Sequence, residues 1–263
     1  MMKTLTTFER FFAFLLALLM VTGCQPQNTP APTEAPVTLD AAAATLPAQP
    51  TTVPAINPDL HLDPALTQDA DSLMVSQYLY DGLVRLGAGD EIQPALAESW
   101  VISDDQLDYI FNLRSTATFS DGTLITPDVV VDNFNRWFDP DSPLRGTGDY
   151  ATWKSIFLGF HAEIGADKRA VSPVDGIQKV DSNTVLIHLN RPEPGILKYL
   201  ANPAFAILNT TALASGPYGE RGSTIISSGP YVVSAWSDAG LTLSPNPKYW
   251  GEIPSGDLNF TWR

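Results

Sequence analysis

The 263-residue chain has a single cysteine, Cys24, so no intrachain disulfide can form. It has three histidines, His61, His161 and His188, and their scatter gives no metal-ligand spacing; no metal site is expected. Positive charge is scarce: 15 Lys and Arg stand against 29 Asp and Glu, a net charge of −14. A surface of that sign repels phosphate backbones, which excludes nucleic acid as a partner. The motifs of bond-making chemistry are also missing. There is no G-x-S-x-G and no S-x-x-K. Gly87-x-Gly89 and Gly146-x-Gly148 lack the third glycine of a dinucleotide loop, and no Walker pattern occurs. The acid pairs Asp104/Asp105 and Asp139/Asp141 fall at predicted turns, where carboxylates satisfy local backbone N–H groups. No cofactor is expected, and the chain does not read as an enzyme.

Long apolar runs are scarce too. Residues 11–21, FFAFLLALLMV, are eleven in number, against about 20 for a bilayer span. That length suits the core of a secretory signal. Val21-Thr-Gly-Cys24 follows it, and the whole segment resembles a bacterial lipoprotein signal covering residues 1–23. The resemblance implies that Cys24 is lipidated and becomes the new first residue. An ordinary signal, or a buried helix with an incidental cysteine, is the other reading. Eight of the 22 prolines then lie between Gln25 and Pro58, among Thr, Ala and Gln. Such a stretch buries too little apolar surface to fold, so residues 24–58 read as a tether, with a short strand suggested at 37–39.

Folding signals begin near residue 59. Apolar residues at Val75, Tyr78 and Leu79 predict a helix over 70–81, stopped by Gly82. Trp100–Ile102 and Leu107–Arg114 predict a hairpin, with Tyr109, Phe111 and Leu113 on one face. Thr126-Pro-Asp128 is a strong helix start, and Val130, Phe134, Trp137 and Phe138 give that helix an apolar side. A short helix is expected over 153–160 and another over 195–200. Hairpins are expected at 177–189 and 231–243. The pattern is α+β, with strands in hairpins as well as separated by helices. Aromatics such as Tyr150, Trp153, Phe205 and Tyr218 sit at element edges, where they could line a cleft or pack a core.

Several ordered blocks resemble one known family. They are Leu62-Asp-Pro64 and Tyr80-Asp-Gly-Leu-Val84; Leu96-Ala-Glu-Ser-Trp100 through Thr126-Pro-Asp-Val-Val130; Ser228-Gly-Pro-Tyr-Val232; and Asn246-Pro-Lys-Tyr-Trp-Gly251. Over roughly residues 60–263 the chain resembles the extracytoplasmic solute-binding proteins of ABC importers, family 5, the oligopeptide, dipeptide and nickel-chelate type. Ser227-Ser-Gly stands where that family has Gly-Thr-Gly.

The resemblance implies a two-lobed periplasmic-binding-protein fold, class II, cluster C, of which residues 59–263 would form the first lobe, incomplete at its C-terminus. On this reading the chain is an N-terminal portion, and the end at Asn259-Phe-Thr-Trp-Arg263 leaves apolar strand edges exposed. The resemblance further implies capture without chemistry. The ligand is a peptide or small solute, the partners are ABC permease subunits, and the protein is extracytoplasmic, periplasmic or at the cell surface, held by a lipid on Cys24. Asp69, Ser72, Trp153, Asn202, Phe205 and Ser228 occupy cleft-facing places in the family and are the candidate ligand contacts. The alternative is a truncated or non-transporting surface lipoprotein, acting as a sensor or a partner-dependent binding module.

Overall fold

The computed structural model describes residues 53–263, so the signal, Cys24, the suggested strand at 37–39 and most of the tether lie outside the described residues. The folded body reaches back into the expected tether. Ile56 is fully buried and forms a parallel bridge with Trp262, its N–H donating to the Thr261 carbonyl at 2.9 Å.

Asp69 opens the first helix, α1 (Ala70–Leu79), its Oδ2 accepting from the Ser72 N–H at 2.8 Å. The helix ends before Gly82. Tyr80 turns extended (φ −137°) and directs its hydroxyl to the Leu62 carbonyl, so the stop comes from a buried tyrosine rather than a left-handed glycine. The chain then makes a hairpin of β1 (Val84–Leu86) and β2 (Ile92–Pro94).

A four-stranded antiparallel sheet follows, in the order β3-β4-β6-β5, built from β3 (Ala97–Ile102), β4 (Asp108–Leu113), β5 (Val174–Lys179) and β6 (Thr184–Leu189). Tyr109 pairs with Ile187 and Phe111 with Val185, so strand alternation places Tyr109, Phe111, Leu113, Val185, Ile187 and Leu189 on one buried face. The helix α2 (Pro127–Phe138) lies against β5 and β6. It starts as its sequence demands, with Thr126 Oγ1 accepting from the Val129 N–H and Pro127 where no N–H is needed. Val130, Phe134, Trp137 and Phe138 are all buried beneath the sheet. The short helices α3 (Ala151–Phe157), α4 (Ile196–Leu200) and α5 (Thr210–Ala214) complete the α-helices among the described residues, beside 3-10 turns at Pro64–Leu66 and Pro203–Phe205.

The third sheet contains β7 (Tyr231–Ser237), β8 (Gly240–Pro245) and β9 (Leu258–Phe260), all antiparallel. Its hairpin needs Gly240: φ is 153°, and a Cβ there would lie 2.4 Å from the Phe260 carbonyl oxygen. Gly229, just before β7, serves close approach instead. Its N–H donates to the Leu79 carbonyl at 2.8 Å, and a Cβ would lie 2.7 Å from the Tyr80 nitrogen. The Gly-Pro-Tyr turn thereby docks the third sheet onto the end of α1.

Two buried clusters result. One lies between α2, α3 and the four-stranded sheet; the other lies between α1 and the three-stranded sheet. A buried ion pair of Arg136 with Asp63 ties α2 to the segment before α1, where Asp63 also accepts from the Ala65 N–H.

Candidate ligand-binding site

Where α1 ends, the chain must pass from helix to β1 under the Gly229 turn. The segments that converge there leave a cavity of about 800 Å³. Met74, Gln77 and Tyr78 come from α1, and Arg85 from β1. Glu91 and Gln93 come from the hairpin loop and β2, Asn202 and Pro203 from the segment after α4, Tyr231 from the first strand of the third sheet and Tyr249 from the connection between that sheet's last two strands. One wall is aromatic. Tyr78 and Tyr231 meet edge to face with centroids 5.8 Å apart, and Phe260 packs behind Tyr78.

The opposite side is polar and charged. The Asp81 carboxylate is buried, and its Oδ2 accepts from Trp250 Nε1 at 2.8 Å. Burial pushes its pKa up, and the nearby Arg85, the Trp250 hydrogen bond, Tyr249 and Arg114 only partly offset this. Burial, and then the Asp81 charge, raise the Tyr249 hydroxyl, so it stays neutral. Arg114 lies over the Trp250 ring at 4.2 Å and donates its Nε–H to the Ala95 carbonyl at 2.8 Å. Arg85 lies 5.9 Å from the same ring, and its Nε and Nη2 are buried without a hydrogen-bond acceptor. Glu91 accepts from the Gly89 N–H at 2.8 Å and from Gln93 Nε2 at 2.7 Å; its own backbone and Gly89 lower its pKa.

This arrangement has donors, acceptors, charge and aromatic area converging on one concavity. It has no nucleophile paired with a base. A smaller cleft of about 340 Å³ beside α2 is lined by Asp132, Asp139 and Asp141, but no group of three or more potential metal ligands forms among the described residues.

Of the six residues singled out from sequence, Asn202 lines the cavity, and its Oδ1 also caps the Ala204 N–H at 2.9 Å. Asp69 caps α1. Ser72 is buried and accepts from the His61 N–H at 3.0 Å. Ser228 is buried directly behind the site: its Oγ accepts from the Asp81 N–H at 3.1 Å and donates to the Ile207 carbonyl at 2.8 Å. Trp153 and Phe205 are 1% and 2% exposed. They sit in one aromatic stack with Phe134, Phe138 and Phe157, and Trp153 Nε1 donates to the Gly159 carbonyl. Tyr150 and Tyr218 are buried as well. Sequence reasoning passed over Asp81, Arg85 and Tyr249. The available signal was an acid set between Tyr80 and Gly82 in an otherwise apolar run, followed by Arg85 one residue past two buried positions.

The chain belongs to the bacterial extracellular solute-binding proteins, family 5, whose family model ("Middle") matches residues 91–258. It is 30% identical over 191 residues to the periplasmic murein peptide-binding protein MppA of Escherichia coli, covering 72% of this chain and 34% of that one. It is 31% identical over 211 residues to heme-binding protein A of Haemophilus influenzae, covering 74% and 36%. Among solved structures it is similar to HbpA2 from Haemophilus parasuis, with TM-score 0.68, 30% identity and coverage of 80% and 42%. It is also similar to the periplasmic binding protein DppA from Helicobacter pylori in complex with the peptide STSA, with TM-score 0.68, 26% identity and coverage of 81% and 42%. The chain therefore spans about a third of the length of the curated relatives it matches. Members of this family are binding proteins rather than enzymes. Among the described residues no helix is long and apolar enough to cross a membrane.

Proposed function

We propose that this chain is part of an extracytoplasmic substrate-binding lipoprotein of an ABC importer, capturing peptides or a related small solute for a membrane permease. The observation that carries the reading is the cavity at the end of α1, where an aromatic wall faces a charged, partly unsatisfied one. The relatives support the peptide class: one is named for murein peptide, another for glutathione, and a solved neighbour holds the peptide STSA. Lobe closure over the ligand would supply the signal to the permease, driven by ligand contacts made on both sides.

Of the sequence candidates, Asn202 is proposed as a direct ligand contact, with Tyr78, Arg85, Tyr231 and Tyr249 added from the cavity. Ser228 is proposed to hold the Asp81 segment in place, and Asp69, Ser72, Trp153 and Phe205 to serve the fold rather than the ligand. Residues 1–23 are proposed as the signal and Cys24 as the lipid-bearing residue that anchors the protein outside the cytoplasm.

Two experiments test this. Calorimetric titration of the chain with a pool of tripeptides should release or absorb heat that Tyr231→Ala weakens; no uptake by the folded chain contradicts peptide capture. Labelled palmitate fed to expressing cells should enter the wild-type product and not Cys24→Ala. Equal labelling of both would remove the anchor from the account.

A further inference from the structure

We propose that Arg85 is the anion-recognising group of this cavity and that the ligand docks on it through a carboxylate. The inference rests on the ligand-binding reading above and adds the chemistry of the group selected. Arg85 projects from β1 and lines the cavity. Its Nε and Nη2 are out of contact with solvent and have no hydrogen-bond acceptor. A guanidinium cannot shed its proton, so buried, unmatched N–H donors on it are costly and rare in a finished site.

The neighbouring acids do not fill the gap. Asp81 Oδ2 already accepts from Trp250 Nε1 at 2.8 Å. Glu91 Oε1 accepts from Gln93 Nε2 at 2.7 Å and Oε2 from the Gly89 N–H at 2.8 Å. Neither acid forms an ion pair with Arg85 among the described residues. The neutral Tyr249 hydroxyl lies near enough for Arg85 to offset part of the rise in its pKa that burial causes, yet the two make no hydrogen bond of good geometry, and Trp250 offers only its ring, 5.9 Å away. Arg85 thus lines the cavity with two of its donors unmatched.

The identity of those donors selects the ligand group. Nε and Nη2 share one edge of the guanidinium, and their N–H bonds run parallel. That edge matches the two oxygens of a carboxylate in a bidentate pair. Asp81 and Glu91, in the same cavity, disfavour a dianion, which favours a singly charged carboxylate over phosphate. Every unmodified peptide supplies such a group at its C-terminus.

The test uses a tripeptide pool with free C-terminal carboxylates and the same pool amidated. Each is titrated into the 263-residue chain as wild type, Arg85→Gln and Arg85→Lys, with thermal melts to establish that each variant folds. Wild type should bind the free pool about tenfold or more tightly than the amidated one, the size of a charge-assisted pair. Arg85→Gln should erase the preference, because affinity for the free pool falls to that for the amidated one. Arg85→Lys should keep only part of it, because a point charge lacks the fork; if Arg85→Gln fails to fold, loss of most of the preference in Arg85→Lys carries the test. Equal binding of the two pools by wild type, or a preference that survives in Arg85→Gln, overturns the role of Arg85 and leaves the cavity's role in peptide capture standing. No binding of either pool removes peptide capture and, with it, this inference.

Discussion

Trp250 donates its indole N–H to the Asp81 carboxylate at 2.8 Å, across 169 positions of the chain. The contact joins the segment that leaves α1 to the Tyr-Trp pair beyond β8, and Asp81 and Tyr249 line the cavity. Trp250→Phe keeps the ring under Arg114 but removes the donor, leaving a buried carboxylate one hydrogen bond short. The expected loss is about 1–3 kcal/mol in urea denaturation. A midpoint equal to wild type would show that the hydrogen bond contributes nothing.

The same carboxylate sets a pH dependence. Burial raises the Asp81 pKa above its ordinary 3.8 in the folded state. Between that value and the raised one, the folded state binds more protons than the unfolded state, so stability falls as pH rises through the window. Asp81→Asn removes this contribution while keeping an acceptor for Trp250. The decrease in melting temperature from pH 4 to pH 7 should therefore be smaller in the variant. An unchanged decrease would mean that other groups produce it.

The Asp63–Arg136 pair is buried on both sides, at 2% side-chain exposure each. Removing one partner strands the other. Arg136→Met should cost about 3–5 kcal/mol. Adding Asp63→Asn should recover part of that loss, since the amide oxygen still caps Ala65 and no charge remains. Chemical denaturation of the single and double variants measures the coupling, and additive losses would contradict it.

Trp153 and Asn202 should separate packing from recognition. Trp153→Ala empties the centre of the aromatic stack and should cost about 3–5 kcal/mol, with the folded fraction binding a tripeptide pool as before. Asn202→Ala loses only a cap, about 1 kcal/mol, and should weaken binding. The reverse pattern, with Trp153 governing affinity, would return Trp153 to the ligand.

Much of this architecture was legible in the sequence because local rules agreed with the tertiary structure. Thr126-Pro127 opened α2 as expected, and strict alternation marked the buried faces of β4 and β6. Elements without strong local patterns were missed. β2 has three half-buried residues and ends in proline, and α5 is a five-residue helix capped by Asn209. Ile56 could not be told from the tether, because its partner lies some 200 positions away. The site was harder for a related reason. Position near a loop suggested Trp153 and Phe205, but a large ring beside a helix end packs inward when other rings are waiting for it. Asp81 and Arg85 owe their chemistry to Trp250 and Tyr249, which meet them only after folding.

The central claim is that the concavity at the end of α1 holds the ligand. Hydrogen exchange of the chain with and without a tripeptide pool tests it most directly. Protection should concentrate in residues 74–93, 201–206, 230–231 and 249–254, the segments that line the cavity. Protection confined to other segments, or binding that leaves these exchange rates unchanged, would contradict it.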